Sequence, residues 1–249
     1  MRCSVVIDCF PESVPRYRRG HAIVAVDVIR ATTTVATAVA QGRRCFPVAS
    51  VEVARALSAR LPNALLAGEI GGVIPRGFEM NNSPAELAAR RDISRPLVLL
   101  SSSGTKLIHL AQASRAAYVA CFRNFEYLCR RLAGRHARIA VIGAGSRGEF
   151  REEDQMCCAW IARELMDSGY VAGNPQTRAW VERWDGLSLN LILSGASTNY
   201  LMRTGQSRDL EFILSHISDL DWEFRVQGGE VVGYTQREDE PALAEGARA

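Results

Sequence analysis

The chain has 249 residues, of which 47% are hydrophobic, and a formal net charge of +3. This composition allows a substantial buried core, and the absence of clustered basic and aromatic residues argues against a nucleic-acid partner, so any bound anion is expected to be small. We find no signal peptide, no apolar run that could span a membrane and no disulfide pattern among the seven cysteines, which predicts a cytoplasmic protein with no membrane partner.

Short apolar runs rich in β-branched residues alternate along the chain with stretches of helical period. The expected strands are residues 3–10, 22–28, 45–48, 64–67, 97–101, 117–121 and 138–142, with a closing strand or hairpin around Gly228 and Gly229. The expected helices are residues 32–41, 51–61, 84–91, 105–113, 125–133, 153–168, 176–183, 187–202 and 208–218. This alternation predicts an α/β protein with three α/β/α layers around a mixed, largely parallel sheet.

No Pro-, Gly- or Ser-rich linker and no internal repeat divides the chain, so residues 1–234 are expected to form one α/β domain. The polar and Ala-rich residues 235–249 have little to bury and predict a disordered tail. A homo-oligomer is expected, as for many cytosolic enzymes.

The first candidate site segment is residues 26–34, which read V-D-V-I-R-A-T-T-T at the end of a predicted strand and the start of a helix. Helix N-termini bind anions through free N–H groups, so Thr32 and Thr33 could hold phosphate oxygens while Arg30 adds a bidentate donor. The structural alternative is that one threonine caps the helix and Asp27 pairs with Arg30.

The second segment, residues 68–86, is too long and too polar for a simple connection. Its end predicts a helix start, with Ser83 as the N-cap and Glu86 completing a capping box. Capping does not account for Glu69 or Arg76, so this loop is expected to take part in binding.

The third segment, residues 99–106, reads L-L-S-S-S-G-T-K and again joins a strand end to a helix start. Gly104 would let the backbone approach an anion, and Lys106 would add positive charge. The spacing is not that of a Walker A loop, so nucleotide binding is not implied. A serine-rich turn of purely structural use is the alternative.

The fourth segment, residues 143–148, formally satisfies the dinucleotide pattern G-x-G-x-x-G. The carboxylates that follow in residues 149–154 disfavour a pyrophosphate there. Carboxylates beside an anion site suit Mg²⁺, which one or two of them bind together with substrate oxygens. The candidates are Asp27, Glu69 and one or two of Glu152, Glu153 and Asp154, and the alternative is that the acidic run only complements the dipole of the next helix.

In this order, the motifs V-D-V-I-R-A-T-T-T, A-G-E, G-F-E-M-N-N-S-P-A-E, S-G-T and G-A-G…E-D resemble the 2-phosphosulfolactate phosphatase family, over about residues 24–164 and more weakly to about 225. The resemblance implies a Mg²⁺-dependent enzyme with an α/β/α fold that converts 2-phosphosulfolactate to sulfolactate and phosphate, a step toward coenzyme M. Besides the residues above, it marks Gly77, Asn82, Thr105 and Gly145. Ser103 stands where the family has asparagine, which leaves the identity of the hydroxy acid open.

The residues and the resemblance together predict phosphate monoester hydrolysis on a small anionic ester. The expected catalytic residues are Asp27, Arg30, Glu69 and Asp154, and the expected Mg²⁺ ligands are Asp27, Glu69, Glu153 and Asp154. The expected substrate-binding residues are Thr32, Thr33, Arg76, Asn82, Ser83, Ser102, Ser103, Gly104, Thr105, Lys106 and Gly145. Whether Asp27 attacks phosphorus or only binds metal stays open, and the alternative functions are a binder without turnover and a lyase that eliminates phosphate.

A substrate with phosphate, carboxylate and sulfonate groups requires several cations. Arg30 and the metal are expected to serve the phosphate, and Arg76, helped by Lys106 or Arg147, the more distant acid groups. Loss of such a uniform binding contact raises KM rather than lowering kcat, so Arg76→Ala is expected to raise KM.

Overall fold

The computed structural model describes residues 2–235, and it confirms the predicted mixed α/β architecture with helices on both faces of a sheet. The strands are β1 Ser4–Cys9, β2 Ala22–Val26, β3 Cys45–Val48, β4 Leu65–Gly68, β5 Leu97–Leu100, β6 Ala117–Ala120, β7 Arg138–Gly143, β8 Val171–Ala172, β9 Glu223–Gln227 and β10 Glu230–Tyr234. The helices are α1 Val14–Tyr17, α2 Ala31–Ala40, α3 Val51–Ser58, α4 Pro84–Ala89, α5 Gly104–Ala111, α6 Phe125–Leu132, α7 Glu152–Asp167, α8 Pro175–Trp184, α9 Ala196–Arg203 and α10 Ser207–Ser215. Two 3₁₀ helices cover Pro11–Ser13 and Leu189–Ser194.

The strands form one mixed sheet in the order β4-β5-β3-β10-β9-β6-β2-β7-β1-β8. β4, β5 and β3 are parallel, and so are β6, β2, β7, β1 and β8. The β9–β10 hairpin lies between these two groups and pairs antiparallel with both, through Val231 opposite Cys45 and Phe224 opposite Val119. The predicted hairpin around Gly228 is thus confirmed, at the middle of the sheet.

Both faces of the sheet are buried. On β2, Val24 and Val26 pack into an apolar cluster with α6 and α7, whereas Ile23 and Ala25 pack into a second cluster with α2 and α5. A strand covered on both faces has no solvent side, so β2 is apolar throughout and does not alternate.

The prediction of one helix over residues 187–202 is wrong. The chain forms a 3₁₀ helix there, and α9 begins only after Gly195, whose backbone is extended with φ −64° and ψ 159°. The hydroxyl of Thr198 donates to the carbonyl of Ile192 across this break at 2.7 Å. Glycine has a low helix propensity, and the local contacts of Thr198 favour the corner over a continuous helix.

Other parts of the chain were not predicted or fall outside the described residues. The short helices in residues 11–17 and the two-residue strand β8 carry too little periodicity to be read from sequence. Apart from Thr235, the predicted disordered tail of residues 235–249 lies outside the described part of the chain. Within residues 2–235, no helix combines the length and apolar character needed to cross a membrane.

Candidate active site

The candidate active site is a cavity of about 600 Å³ where the loops after β2, β4, β5 and β7 meet. Ligands of α/β proteins bind beyond the carboxyl ends of strands, and these are the four strand ends whose motifs predicted chemistry. The predicted site residues that line the cavity are Asp27, Arg30, Glu69, Asn82, Ser102, Ser103, Gly145 and Asp154, together with Arg147.

Asp27 lies directly after β2 with its side chain buried against the start of α2. Its Oδ1 accepts a hydrogen bond from the Ala31 N–H at 3.2 Å, and its Oδ2 accepts none from residues 2–235. Burial, helped by the nearby charges of Glu69 and Glu153, raises the pKa of the Asp27 carboxyl from 3.8 to about 7 against the opposing effect of the Ala31 N–H and Arg30. The cavity therefore holds a carboxyl group that exchanges its proton near neutral pH.

Gly104, the first residue of α5, packs against the Asp27 carboxylate. A Cβ at this position would lie 2.1 Å from Asp27 Oδ2 and 2.6 Å from the Ala31 Cβ, so only glycine fits. The predicted close approach at Gly104 is therefore present, and what approaches the glycine is the side chain of Asp27.

Asp154 enters the cavity from the first turn of α7. Its Oδ1 accepts from the Val28 N–H at 2.8 Å and its Oδ2 from the Gly145 N–H at 3.2 Å, so it links the loops after β2 and β7. Burial raises the pKa of the Asp154 carboxyl, and the charges of Asp27 and Glu153 raise it further. Three carboxyl groups in one buried region cannot all ionise without a compensating cation.

Glu153 is 1% exposed and lies behind the cavity lining. Burial raises the pKa of the Glu153 carboxyl, and a hydrogen bond with Ser197 partly opposes this effect. The charge of Glu153 acts on the site at short range, because it raises the pKa values of Asp27 and Asp154.

Glu69 connects the loops after β4 and β5. Its carboxylate accepts hydrogen bonds from the Ser102 N–H at 2.8 Å, the Ser102 hydroxyl at 2.9 Å and the Gly72 N–H at 2.6 Å. Glu69 thereby holds the serine segment against the cavity.

Arg30 lines the cavity but is already paired. Its Nη1 donates to Asp209 at 2.5 Å and to Gln206 at 2.6 Å, and its Nη2 donates to Asn81 at 3.2 Å. The structure therefore does not contain the alternative Asp27–Arg30 pair, because the counter-ion of Arg30 is Asp209 of α10.

Four predicted substrate-binding hydroxyls are used by the backbone. Thr32 donates to the Asp27 carbonyl, Thr33 to the Val28 carbonyl and Thr105 to the Ser101 carbonyl, at 2.8 to 3.1 Å. These three and Ser83 lie outside the cavity lining. Ser83 caps α4 by accepting from the Glu86 N–H at 3.1 Å, as predicted, while its own N–H donates to Asn81 rather than to Glu86.

Arg76 and Lys106 also lie outside the cavity lining. Arg76 is exposed, and its carbonyl accepts from Arg55. Lys106 pairs with Glu12 at 2.6 Å beside a smaller groove of about 340 Å³ that shares Ser102, Ser103 and Arg147 with the main cavity.

The cavity wall that sequence reasoning missed comes from α9 and the turn before α7. Tyr200 donates to the Gly72 carbonyl at 3.2 Å and so joins α9 to the loop after β4, and Arg203 lines the wall one turn further on. Arg151 also lines it and donates to Glu149 at 2.6 Å. The sequence carries no signal for these contacts, because α9 reaches the site only through tertiary packing.

The buried carboxylates could hold Mg²⁺ only together with oxygen atoms of a bound substrate. Within residues 2–235, no group of three or more His, Cys, Asp or Glu side chains could hold a metal ion alone. Mg²⁺ is usually bound by one or two carboxylates and by phosphate oxygens. Asp27 has an oxygen that accepts no hydrogen bond from residues 2–235, and it lies close enough to Asp154 for its charge to raise the pKa of Asp154. Glu69 would contribute negative charge near the metal rather than coordinate it, because both of its carboxylate oxygens are already hydrogen-bonded.

We expect the metal-free protein to lose stability relative to its Asp27→Asn variant as pH rises. The folded protein keeps the Asp27 proton up to a pKa of about 7, whereas the unfolded chain releases it near 3.8. Burial of the Asp27 carboxyl therefore lowers the free energy of unfolding only slightly below pH 4, and by on the order of a few kcal/mol above pH 7. Urea denaturation in EDTA at several pH values measures this difference, and parallel curves for the two proteins would contradict it.

Comparison with known proteins places most of the chain in one group. The family model for 2-phosphosulpholactate phosphatase matches residues 8–219. A probable 2-phosphosulfolactate phosphatase of Pseudothermotoga lettingae is 32% identical over 193 residues, which cover 77% of this chain and 84% of the relative. Similarly named proteins of Symbiobacterium thermophilum and Carboxydothermus hydrogenoformans are 32% and 28% identical, covering 78% and 90% of this chain and 86% and 94% of theirs.

Proposed function

Because the chain belongs to the 2-phosphosulfolactate phosphatase family, we propose that it hydrolyses 2-phosphosulfolactate, or a similar small phosphorylated hydroxy acid, to the hydroxy acid and phosphate with Mg²⁺ as cofactor. The observation that carries the proposal is the cavity in which Asp27 and Asp154 are buried with raised pKa values beside the serine loop that leads into α5. The substrate is the small anionic partner expected from the sequence.

The phosphate group would bind at the start of α5. Free N–H groups at a helix N-terminus attract anions, and Ser103, the residue before α5, lies beside them on the cavity wall. Asp27 and Asp154 are the residues that would hold Mg²⁺, and the bound ion would supply positive charge for the phosphate oxygens and the leaving alkoxide. Arg30 adds N–H donors that its protein partners leave free.

Asp27 and Asp154 would carry out the proton transfer that the hydrolysis requires. Burial raises the pKa of both Asp27 and Asp154, and the charge of Asp27 raises that of Asp154 further, so without a cation at least one of the two carboxyl groups is expected to keep its proton at a higher pH than an exposed aspartate does. A carboxyl group of this pair that the metal does not hold would give its proton to the oxygen of the departing hydroxy acid and would take one back from the attacking water.

We expect the more distant acid groups of the substrate to contact Arg147 and Arg203 in place of Arg76. Both line the cavity, and neither is ion-paired within residues 2–235. Charge-assisted contacts stabilise by roughly 1.5–3 kcal/mol, so Arg147→Ala should raise KM at least about tenfold with kcat little changed. Steady-state kinetics of Arg147→Ala, with the exposed Arg76→Ala as control, tests this, and an equal KM effect in both variants would contradict it.

The proposed activity is tested by phosphate release from 2-phosphosulfolactate and a panel of phosphorylated hydroxy acids, with Mg²⁺ and with EDTA. Hydrolysis predicts a hydroxy acid among the organic products in mass spectrometry, whereas a lyase would leave an alkene. Binding of such esters without any product would support a non-catalytic binder instead.

A cytoplasmic location and a homo-oligomeric state are part of the same proposal. All seven cysteines are free thiols and six of them are buried, which suits a reducing compartment. Size-exclusion chromatography with light scattering measures the oligomeric state directly.

A further inference from the structure

Asp209 is a buried aspartate of α10 that connects three parts of the molecule. It is 2% exposed and lies outside the cavity lining. Its Oδ2 accepts from Arg30 Nη1 at 2.5 Å, and its Oδ1 accepts from the Ser83 hydroxyl at 2.5 Å and the Ala85 N–H at 3.1 Å. One carboxylate thus joins the loop after β2 to the start of α4.

The guanidinium of Arg30 is held by this region from several directions. The Arg30 and Asp209 side chains are 5% and 3% exposed, so their ion pair is shielded from water. Gln206 accepts from Arg30 at 2.6 Å and from the Asn81 amide at 3.0 Å, and Asn81 accepts from Arg30. A planar group bonded at several atoms has little freedom to turn.

We propose that Asp209 is a positioning residue for the hydrolysis, which acts by fixing the orientation and balancing the charge of Arg30 at the cavity. The inference rests on the proposed function, since it assigns Arg30 to the substrate phosphate. The buried pair is neutral as a whole, so Arg30 contributes directed hydrogen bonds more than net attraction. A misdirected guanidinium would stabilise the transition state poorly even though its charge remained.

The two oxygens of Asp209 have separable partners, which allows a sharp test. In Asp209→Asn the amide oxygen can still accept from Ser83 and Ala85, while the position facing Arg30 becomes an NH₂ group that cannot accept. The substitution therefore removes the partner of Arg30 and spares the contacts that hold α10 on α4. Asp219→Asn is the matched control, because Asp219 pairs with Arg123 away from the cavity.

The experiment combines Asp209→Asn with Arg30→Met. Alone, Asp209→Asn is expected to lower kcat/KM roughly 10- to 100-fold and to weaken binding of inorganic phosphate, measured by calorimetry, about tenfold. In the Arg30→Met background it should change neither value, and it should raise the melting temperature because it removes an unpaired buried charge. Asp219→Asn should leave kcat/KM within about twofold of the wild type.

A merely structural Asp209 gives a different result. Asp209→Asn would then lower kcat/KM by the same factor with and without Arg30, in proportion to the loss of melting temperature, and that outcome overturns the proposal. The phosphate-binding measurement requires no turnover. If 2-phosphosulfolactate is not a substrate, the proposed function is contradicted, whereas phosphate binding by the Asp209 variants still tests the role of Asp209.

Discussion

Asp27→Asn is expected to remove almost all hydrolysis while leaving the protein at least as stable as the wild type at neutral pH. The carboxyl group that exchanges a proton near pH 7 is lost, and such groups typically contribute about 10²- to 10⁴-fold to the rate. The amide keeps the shape and the acceptor for the Ala31 N–H. It also removes a buried negative charge beside Glu69, Glu153 and Asp154, which is why stability should not fall.

The measurements are kcat with Mg²⁺ and the melting temperature. Asp167→Asn is a suitable control, because Asp167 is exposed at the far end of the helix that carries Asp154. A kcat within about threefold of the wild type would remove Asp27 from the chemistry and leave it a structural acid.

Gly104→Ala should lower kcat about a hundredfold, although alanine is the better helix former. In an ordinary helix this change stabilises by roughly 1 kcal/mol. Here the new methyl group would overlap both the Asp27 carboxylate and the Ala31 side chain, so the carboxylate must move by about an ångström, a displacement that can cost on the order of 10² in rate. Kinetics and thermal denaturation should show losses of both activity and stability.

Gly20→Ala is the matched control for this substitution. A Cβ at Gly20 would meet only the mobile end of Arg138, at 3.2 Å, and the backbone there is not left-handed. Retained activity in Gly104→Ala together with an unchanged melting temperature would show that the carboxylate has room to move and that close packing at Gly104 is not required.

The sequence predicted most strands, most helices and the four loops of the site, because each depends on local patterns. A buried strand such as β2 is a continuous apolar run, and a strand end followed by polar residues marks an edge where ligands bind. Asp27, Glu69, Ser102 and Asp154 were found in this way and meet in the cavity.

The contacts that were missed depend on long-range packing. Arg76 and Arg147 look alike in sequence, yet only Arg147 lines the cavity. Asp209 carries no local signature, since its partner Arg30 is 179 residues away in the chain. The sequence offers the hydroxyls of Thr32 and Thr33 to a ligand, but in the structure they donate to backbone carbonyls. Which of the two partners a hydroxyl takes depends on the conformation of the folded turn.

The position of the β9–β10 hairpin governs when during biosynthesis the enzyme can first work. A nascent chain that has not yet reached Glu223 lacks the strands that join β3 to β6 within residues 2–235, so its parallel strands are expected to form two groups with unpaired inner edges. Asp27 and Asp154 follow strands of one group, and Ser102 follows a strand of the other. The candidate catalytic groups are therefore expected to come together only after residues 223–234 have been synthesised, and until then both edges are open to pairing with neighbouring polypeptides.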